Sequence, residues 1–244
     1  MELKDKTALV TGGGIRVGRA IVLELARAGM NLLVHYRTSR KEADDVCRLA
    51  GELGVRATSI SADLGDLDEL MGFLQQVERY HSPIDALILS ASEYPRVDLE
   101  TTTPDAIEQT LRLNLTAPFL LAQRIGFAMK ARGEGQIVTL LDWSLGRPDP
   151  NYLPYHASKA GLTEVTYGLA RALAPQVRVN GVAPGAVLLP EDTPPDRRER
   201  IRLKTPLQTI GSPEDISQAV RFLLESGDFI TGHVIRVDGG RSLI

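Results

Sequence analysis

The chain has 244 residues, with 28 basic against 31 acidic side chains and a single cysteine, Cys47. The length suits one α/β domain spanning 1–244, the near-balanced charge argues against a nucleic-acid or anionic-membrane partner, and one cysteine excludes an internal disulfide or a cysteine-based metal cluster. His35, His81, His156 and His233 form no pair at zinc-ligand spacing and no apolar run has the length of a membrane span, so a metal-free, cytoplasmic protein is expected.

The first residues, MELKDKTALVTG, enter a strand at 7–11 with no signal-peptide pattern. A glycine turn and a helix near 16–28 follow. Gly12, Gly13 and Gly14 let the backbone approach a pyrophosphate, toward which the positive helix end would point, and Gly18 allows helix to pack closely on strand. The spacing departs from G-x-G-x-x-G, so strand before and helix after carry the reading; the alternative is a turn without ligand. Arg16 stands where a glycine is often expected. It is either a surface arginine or a cation reaching the cofactor phosphate or a substrate above the nicotinamide.

The second strand, 31–36, ends in HYRTSRK. An acid there would pair with the ribose hydroxyls of NAD. Arg37, Thr38, Ser39, Arg40 and Lys41 suit the 2′-phosphate of NADP instead. After a helix near 39–53 and a strand at 55–61, Asp63 either accepts from the adenine amino group or caps the helix near 66. Strands at 84–90, 135–141, 177–183 and 233–238 and helices near 104–131, 153–174 and 213–225 complete the alternation. Ser212-Pro213-Glu214-Asp215 marks the last helix start with a cap, a proline and acids. The short, β-branched, nearly continuous apolar strands are those of a sheet buried on both faces. The expected architecture is α/β: a doubly wound Rossmann fold, a seven-stranded parallel sheet with helices on both faces. The segment 185–200, with three prolines and mixed charge, reads as a connector or as a substrate lid, loop or short helix, reaching to about 206.

Tyr155 and Lys159 lie one helical turn apart on one face. A free phenol has a pKa of about 10, too high for easy proton exchange near neutrality; a neighbouring ammonium, with the charge of an oxidised nicotinamide, would favour the phenolate, a drop of ~3 units being worth ~4 kcal/mol. Asp142 ends the fifth strand. An ionised aspartate accepts but does not donate, and beside a developing alkoxide it repels charge. It therefore argues against a simple ketone and suits a flat heterocycle whose ring N–H and amino group a carboxylate could bind in bidentate fashion. The alternative is an Asp142 that turns away to a helix end or to Arg147. Trp143 and His156 read as packing or peripheral residues.

Together TGGGIRVG, SADL, LRLNLTAPF, YHASK, VRVNGVAPG and the final VDGG resemble the short-chain dehydrogenase/reductase family over nearly the whole chain. Arg16, HYRTS, SASEYP at 90–95, Asp142 in place of the usual serine, and LLPEDTPP are most similar to the pteridine reductases and dihydromonapterin reductases. The resemblance implies NADPH-dependent reduction of a pterin, the alternatives being another carbonyl or imine such as a 3-oxoacyl thioester, or a non-catalytic NADP-binding regulator. It implies catalysis by Asp142, Tyr155, Lys159 and Asn114, with Lys159 also on the ribose hydroxyls and Asn114 tied to a water relay; Asn114 could equally satisfy a helix kink. The implied cofactor contacts are Gly12, Gly14, Arg16, Val17, Gly18, His35, Tyr36, Arg37, Thr38, Ser39, Asp63, Leu64, Ser90, Ala91, Tyr155, Lys159, Pro184 and Gly185. The implied substrate contacts are Arg16, Ser92, Tyr94, Asp142, Tyr155 and Leu189, with Tyr94 stacking on the ring. The SASEYP loop is one residue shorter than in relatives with a Phe-Tyr pair. A homotetramer built on paired long helices is the implied assembly.

Overall fold

Seven strands form one parallel sheet: β1 (Thr7–Thr11), β2 (Asn31–Tyr36), β3 (Ala57–Ser61), β4 (Ala86–Leu89), β5 (Gly135–Leu140), β6 (Val177–Pro184) and β7 (Val234–Val237). Their order is β3-β2-β1-β4-β5-β6-β7, every pairing parallel. The order reverses between β1 and β4, and a crevice opens at the carboxyl ends of those strands, where doubly wound sheets bind ligands. The structure is a computed structural model that describes residues 1–80, 83–189 and 192–244. His81 and, within the expected lid, Pro190 and Glu191 lie outside the described residues.

Side chains alternate across a strand, and β1 feeds two cores accordingly. Ala8 and Val10 pack with Ile21 and Leu25 of α1 (Arg16–Arg27), Val46 of α2 (Arg40–Glu52) and Val220 of α8 (Pro213–Glu225). Leu9 packs on the other face with Phe73 of α3 (Leu67–Glu78), Leu121 of α5 (Ala117–Arg132) and Leu173 of α6 (Leu153–Leu173). Burying such a side chain is worth about 1.5–3 kcal/mol, so the sheet is held from both faces and its carboxyl edge is a rigid platform.

The start signals act as the sequence suggests. Ser212 and Asp215 form a reciprocal capping box on α8, the Asp215 carboxylate accepting from Ser212 N at 2.7 Å. Asp66, not Asp63, caps α3, accepting from Asp68 N and Glu69 N. The segment after β6 contains a helix, α7 (Pro195–Leu203).

The expected single helix near 104–131 is interrupted. It comprises α4 (Pro104–Leu111), a π-turn at Arg112–Thr116, and α5, with Ala117 N–H bonding back to Arg112 O. Asn114 sits at the centre of the π-turn with no exposed surface. Unmatched by any apolar break, the interruption belongs to the hydrogen bonds of that one amide, given below.

Candidate active site

Two brackets fix the glycine turn. Thr11 Oγ1 accepts from Ser90 N at 2.9 Å and Ala91 N at 3.0 Å, tying the end of β1 to the end of β4. The buried His35 lies beneath the turn. Its Nδ1 accepts from Gly12 N at 3.0 Å, and its Nε2 is 3.0 Å from Ala62 O, which fixes the Nε2–H tautomer. The His35 side chain is thus a buried support for the turn, so an expected cofactor contact at this position would fall to its backbone. A Cβ on Gly18 would lie 2.0 Å from Gly12 O, so helix and turn approach as closely as the sequence implied. The first turn of α1 has no acidic residue and no side-chain cap, leaving its N–H groups for an anion.

Burial pushes the His35 imidazole down to about 4 from its ordinary 6.5. The unfolded chain takes the proton first. Stability is therefore full above about pH 6.5 and falls as pH drops toward 4, by about 3 kcal/mol in all. Urea melts of His35→Gln are expected to lose that much less than the parent between pH 7 and pH 4; identical pH dependence in the two proteins would contradict the buried neutral imidazole.

At the other end of the crevice, Arg37 Nη1 stands 4.0 Å from Asp63 Oδ2, both groups being part exposed. Asp63 Oδ1 accepts from Gly65 N at 2.8 Å and shapes its own turn. Thr38 and Arg37 are exposed, and Ser39 precedes α2 with its hydroxyl making no cap bond. A hollow of about 520 Å³ beside Arg37, Asp63 and Glu93 opens there. Tyr36 is half-buried and Leu64 sits in the core, so Leu64 offers only backbone.

A cleft of about 590 Å³ is lined by Gly12, Arg16, Val17, Gly18, Ser90, Ala91, Ser92, Tyr94, Tyr155, Lys159 and Pro184 among others. Expected contacts from four separate segments thus converge. Arg16 adopts φ 52°, a left-handed conformation that costs a non-glycine residue about 1–2 kcal/mol, which explains why glycine is expected there. Its guanidinium reaches the segment after β6, 3.5 Å from Leu188 O. Gly185 has a packing role as well: a Cβ there would lie 2.5 Å from Asp238 Cα, so it permits β6 and β7 to converge. Leu189 is half-buried and is not among the residues lining the cleft.

Tyr155 and Lys159 are buried on the first turns of α6. Tyr155 O–H donates to Asp142 Oδ2 at 2.9 Å. Asp142 Oδ1 accepts from Ser144 N at 2.7 Å and from Ser144 Oγ. Arg147 instead donates to Ile244 O, so Asp142 faces the tyrosine rather than turning away. A carboxylate offers about four acceptor positions, and three are filled. Bidentate recognition of a substrate would displace Ser144, so the expected two-point contact reduces to one open position on Oδ2. Asp142 meets the cleft through Tyr155, which is among its lining residues.

Lys159 Nζ donates to Leu140 O at 2.8 Å and lies 5.6 Å from the centre of the Tyr155 ring. Burial pulls it down to about 8, against the opposing charge of Asp142. Tyr155 is raised above the ordinary phenol value, first by burial, then by the charge of Asp142 and the hydrogen bond to it. Within the chain itself, without the nicotinamide charge that the expectation also counted, Lys159 does not turn this phenol toward phenolate. The carboxylate is nearer to the hydroxyl than the ammonium is, and it keeps the proton on oxygen.

Asn114 binds the loop that carries Ser92 and Tyr94. Its Oδ1 accepts from Ser92 Oγ at 3.1 Å and Glu93 N at 3.0 Å, and its Nδ2 donates to Glu93 O at 2.9 Å. Among the described residues none of its side-chain bonds reaches Lys159. Tyr94 stacks on Tyr152 with ring centres 4.0 Å apart and meets Tyr155 edge-on at 4.5 Å. Tyr152, Thr11 and Ser144 were not marked by the sequence; a residue one turn before a catalytic tyrosine is the signal that could have found Tyr152. Arg241 lies 5.0 Å over the Trp143 ring, so Trp143 packs, as expected.

Fold and site together define an oxidoreductase of Rossmann type. A family model described as enoyl-(acyl carrier protein) reductase matches residues 14–242. The dihydromonapterin reductase of Citrobacter koseri is 29% identical over 237 residues, covering 96% of each chain. FolM, alternative dihydrofolate reductase 1 from Brucella canis complexed with NADP, superposes with a TM-score of 0.91 at 30% identity, over 100% of this chain and 96% of that one. The angucycline C-6 ketoreductase LanV with bound NADP superposes with a TM-score of 0.92 at 29% identity, over 100% and 98%. The chain belongs to the short-chain dehydrogenase/reductase family. Among the described residues no helix is long and apolar enough to cross a membrane.

Proposed function

We propose that this protein is an NADPH-dependent reductase of a pteridine, taking a dihydropterin to a tetrahydropterin. The observation that carries the reading is the 2.9 Å bond from Tyr155 O–H to Asp142. A carboxylate held there disfavours negative charge on a substrate oxygen, as ketone reduction would create. It favours a substrate that presents an N–H to the open position on Oδ2 and takes its proton on ring nitrogen. The half-exposed ring of Tyr94, backed by Tyr152, suits a planar heterocycle. The likeness to a dihydromonapterin reductase and to FolM supports the same substrate class.

NADPH, when bound, supplies hydride to carbon. The chain supplies the rest. The uncapped start of α1 suits the pyrophosphate, and Arg37, Thr38 and Ser39 suit a 2′-phosphate, for which an exposed pair with Asp63 is a weak competitor. Lys159 has N–H groups beyond the one given to Leu140 O, which suit ribose hydroxyls. Asn114 positions Ser92 and Tyr94, Arg16 borders the substrate, and Tyr155 holds the proton. Phe119 and Phe127 on α5 and Tyr167 on α6 are exposed, which fits a homotetramer joined through those helices in the cytoplasm.

The test is oxidation of NADPH and of NADH on dihydrobiopterin, dihydromonapterin and an acetoacetyl thioester. Pterin turnover with NADPH preferred is expected. Turnover of the thioester alone would sink the pterin reading, and equal use of NADH would sink the assignment of Arg37.

A further inference from the structure

The helix α7 has no buried residue and carries Arg197, Arg198, Arg200 and Arg202, so apolar burial does not hold it to the domain. Among the described residues, the hydrogen bonds of Pro195–Arg200 stay within the helix and its cap. Apart from a bond from Arg202 to Gln208 O, the helix is fastened at its last turn to one place, the turn that follows β7. The buried Thr205 lies against Gly239, where a Cβ would stand 2.6 Å from Thr205 Cγ2. Leu207 N–H donates to Gly239 O at 3.1 Å. Arg241 Nη1 donates to Ile201 O at 3.1 Å, a carbonyl that Thr205 Oγ1 also reaches at 2.9 Å. A cation suits the negative end of a helix. The opposite end of α7 stands toward the cleft, since the Tyr94 hydroxyl feels the charge of Arg197.

The half-buried Arg241 also faces the other way. Its guanidinium lies 5.0 Å over the ring of Trp143, the residue after Asp142. Trp143 N–H donates to Pro184 O at 3.3 Å, on the rim of the cleft, and Arg147 of the same loop donates to Ile244 O. The turn itself is braced, the Asp238 carboxylate accepting from Gly240 N at 2.9 Å and from Ser242 N at 2.8 Å. A planar guanidinium stacks on an aromatic face and donates in its own plane at once, which an ammonium does not.

We propose that Arg241 positions α7 over the cleft by pinning its last turn to Trp143, and thereby sets the affinity for substrate. The proposal rests on the cleft being the substrate site, whatever substrate is reduced. Arg241 is a positioning residue: it acts through α7 and touches neither the hydride nor the proton. The helix works as a lever. Its nine residues, at about 1.5 Å each, span roughly 13 Å, so a tilt of about 5° at the pinned turn moves the first turn by about 1 Å. A displacement of about that size is enough to cost a site much of its fit.

The experiment compares the parent enzyme with Arg241→Gln, Trp143→Leu and the double variant. At saturating NADPH, KM for dihydropterin is expected to rise about tenfold in each single variant, the size of one lost hydrogen bond to a charged group. The double variant is expected to be no worse than either single one, because both break the same seat. In Arg241→Gln, kcat within about threefold of the parent and an unchanged Kd for NADPH are expected, the pattern of lost uniform binding. The arginines of α7 are trypsin sites, and cleavage at 197–202, read by mass spectrometry, is expected to speed up in the same variants. Trp143→Leu removes the other half of the seat and carries the test alone if Arg241→Gln does not fold. Parent-like KM would overturn the proposal, as would a raised KM with parent-like cleavage of α7, or multiplied effects in the double variant. So would a joint fall of kcat, NADPH affinity and melting temperature, which is the signature of a merely structural role. If no dihydropterin is turned over, KM is read on the acetoacetyl thioester, where the pin predicts the same rise, so a wrong substrate and a wrong pin give different results.

Discussion

Tyr155→Phe is expected to lower kcat on the order of 10²–10⁴-fold, the usual range for removing a positioned general acid. The hydroxyl is the only part removed, and it makes a single hydrogen bond in the structure, to Asp142. The ring remains, with Tyr94 at 4.5 Å and His156 at 5.5 Å around it. Loss of the hydroxyl leaves Asp142 Oδ2 without its donor, at a cost of about 1–3 kcal/mol, which a domain of this size tolerates. NADPH binding, read by fluorescence quenching, is expected to stay within a few-fold of the parent because the phosphate and ribose contacts proposed above are assigned to other residues. Steady-state kinetics checks the outcome: turnover within threefold of the parent would remove Tyr155 from the proton path.

Lys159→Met is expected to abolish turnover and to stabilise the fold. Folding buries this ammonium and pulls it from 10.5 down to about 8. Since the folded pKa is the lower one, the unfolded chain holds the proton more tightly between those values, and stability rises as pH climbs from about 8 to 10.5. Below 8 the buried charge costs about 3 kcal/mol. Methionine fills a similar volume without charge but leaves Leu140 O without its donor, a loss of about 1 kcal/mol. The net gain of about 2 kcal/mol corresponds to a melting temperature higher by about 4–8 °C for a chain of this length. Differential scanning calorimetry at pH 7 is the check, and a lower melting point would show that the hydrogen bond outweighs the charge.

The sheet was legible because apolar continuity and β-α alternation are properties of the chain itself. The boundaries of β1 and β2 coincide with the runs TALVT and NLLVHY. The cleft was legible through motif residues: Gly12 and Ser90 follow strand ends and Tyr155 and Lys159 start α6, and they come together because parallel strands share one carboxyl edge. What escaped were roles set by partners distant in sequence. Nothing local distinguishes a histidine that touches a nucleotide from His35, which braces Gly12 across 23 positions. The Tyr155 shift is set first by burial and then by the Asp142 carboxylate on its oxygen, neither of which spacing contains. The packing role of Gly185 is set by Asp238, more than fifty residues away.

The π-turn at Arg112–Thr116 changes the phase of its helix. A bond from Ala117 N to Arg112 O spans one residue more than an α-helical bond, and one residue is about 100° of rotation. Thr110 of α4 and Leu121, Ile125 and Met129 of α5 are buried, and at eleven, four and four residues apart they would share one face of an unbroken α-helix. The apolar repeat therefore carries no sign of the π-turn. Asn114 acts as a fiducial mark for the two halves, and the helix is best read outward from it in both directions.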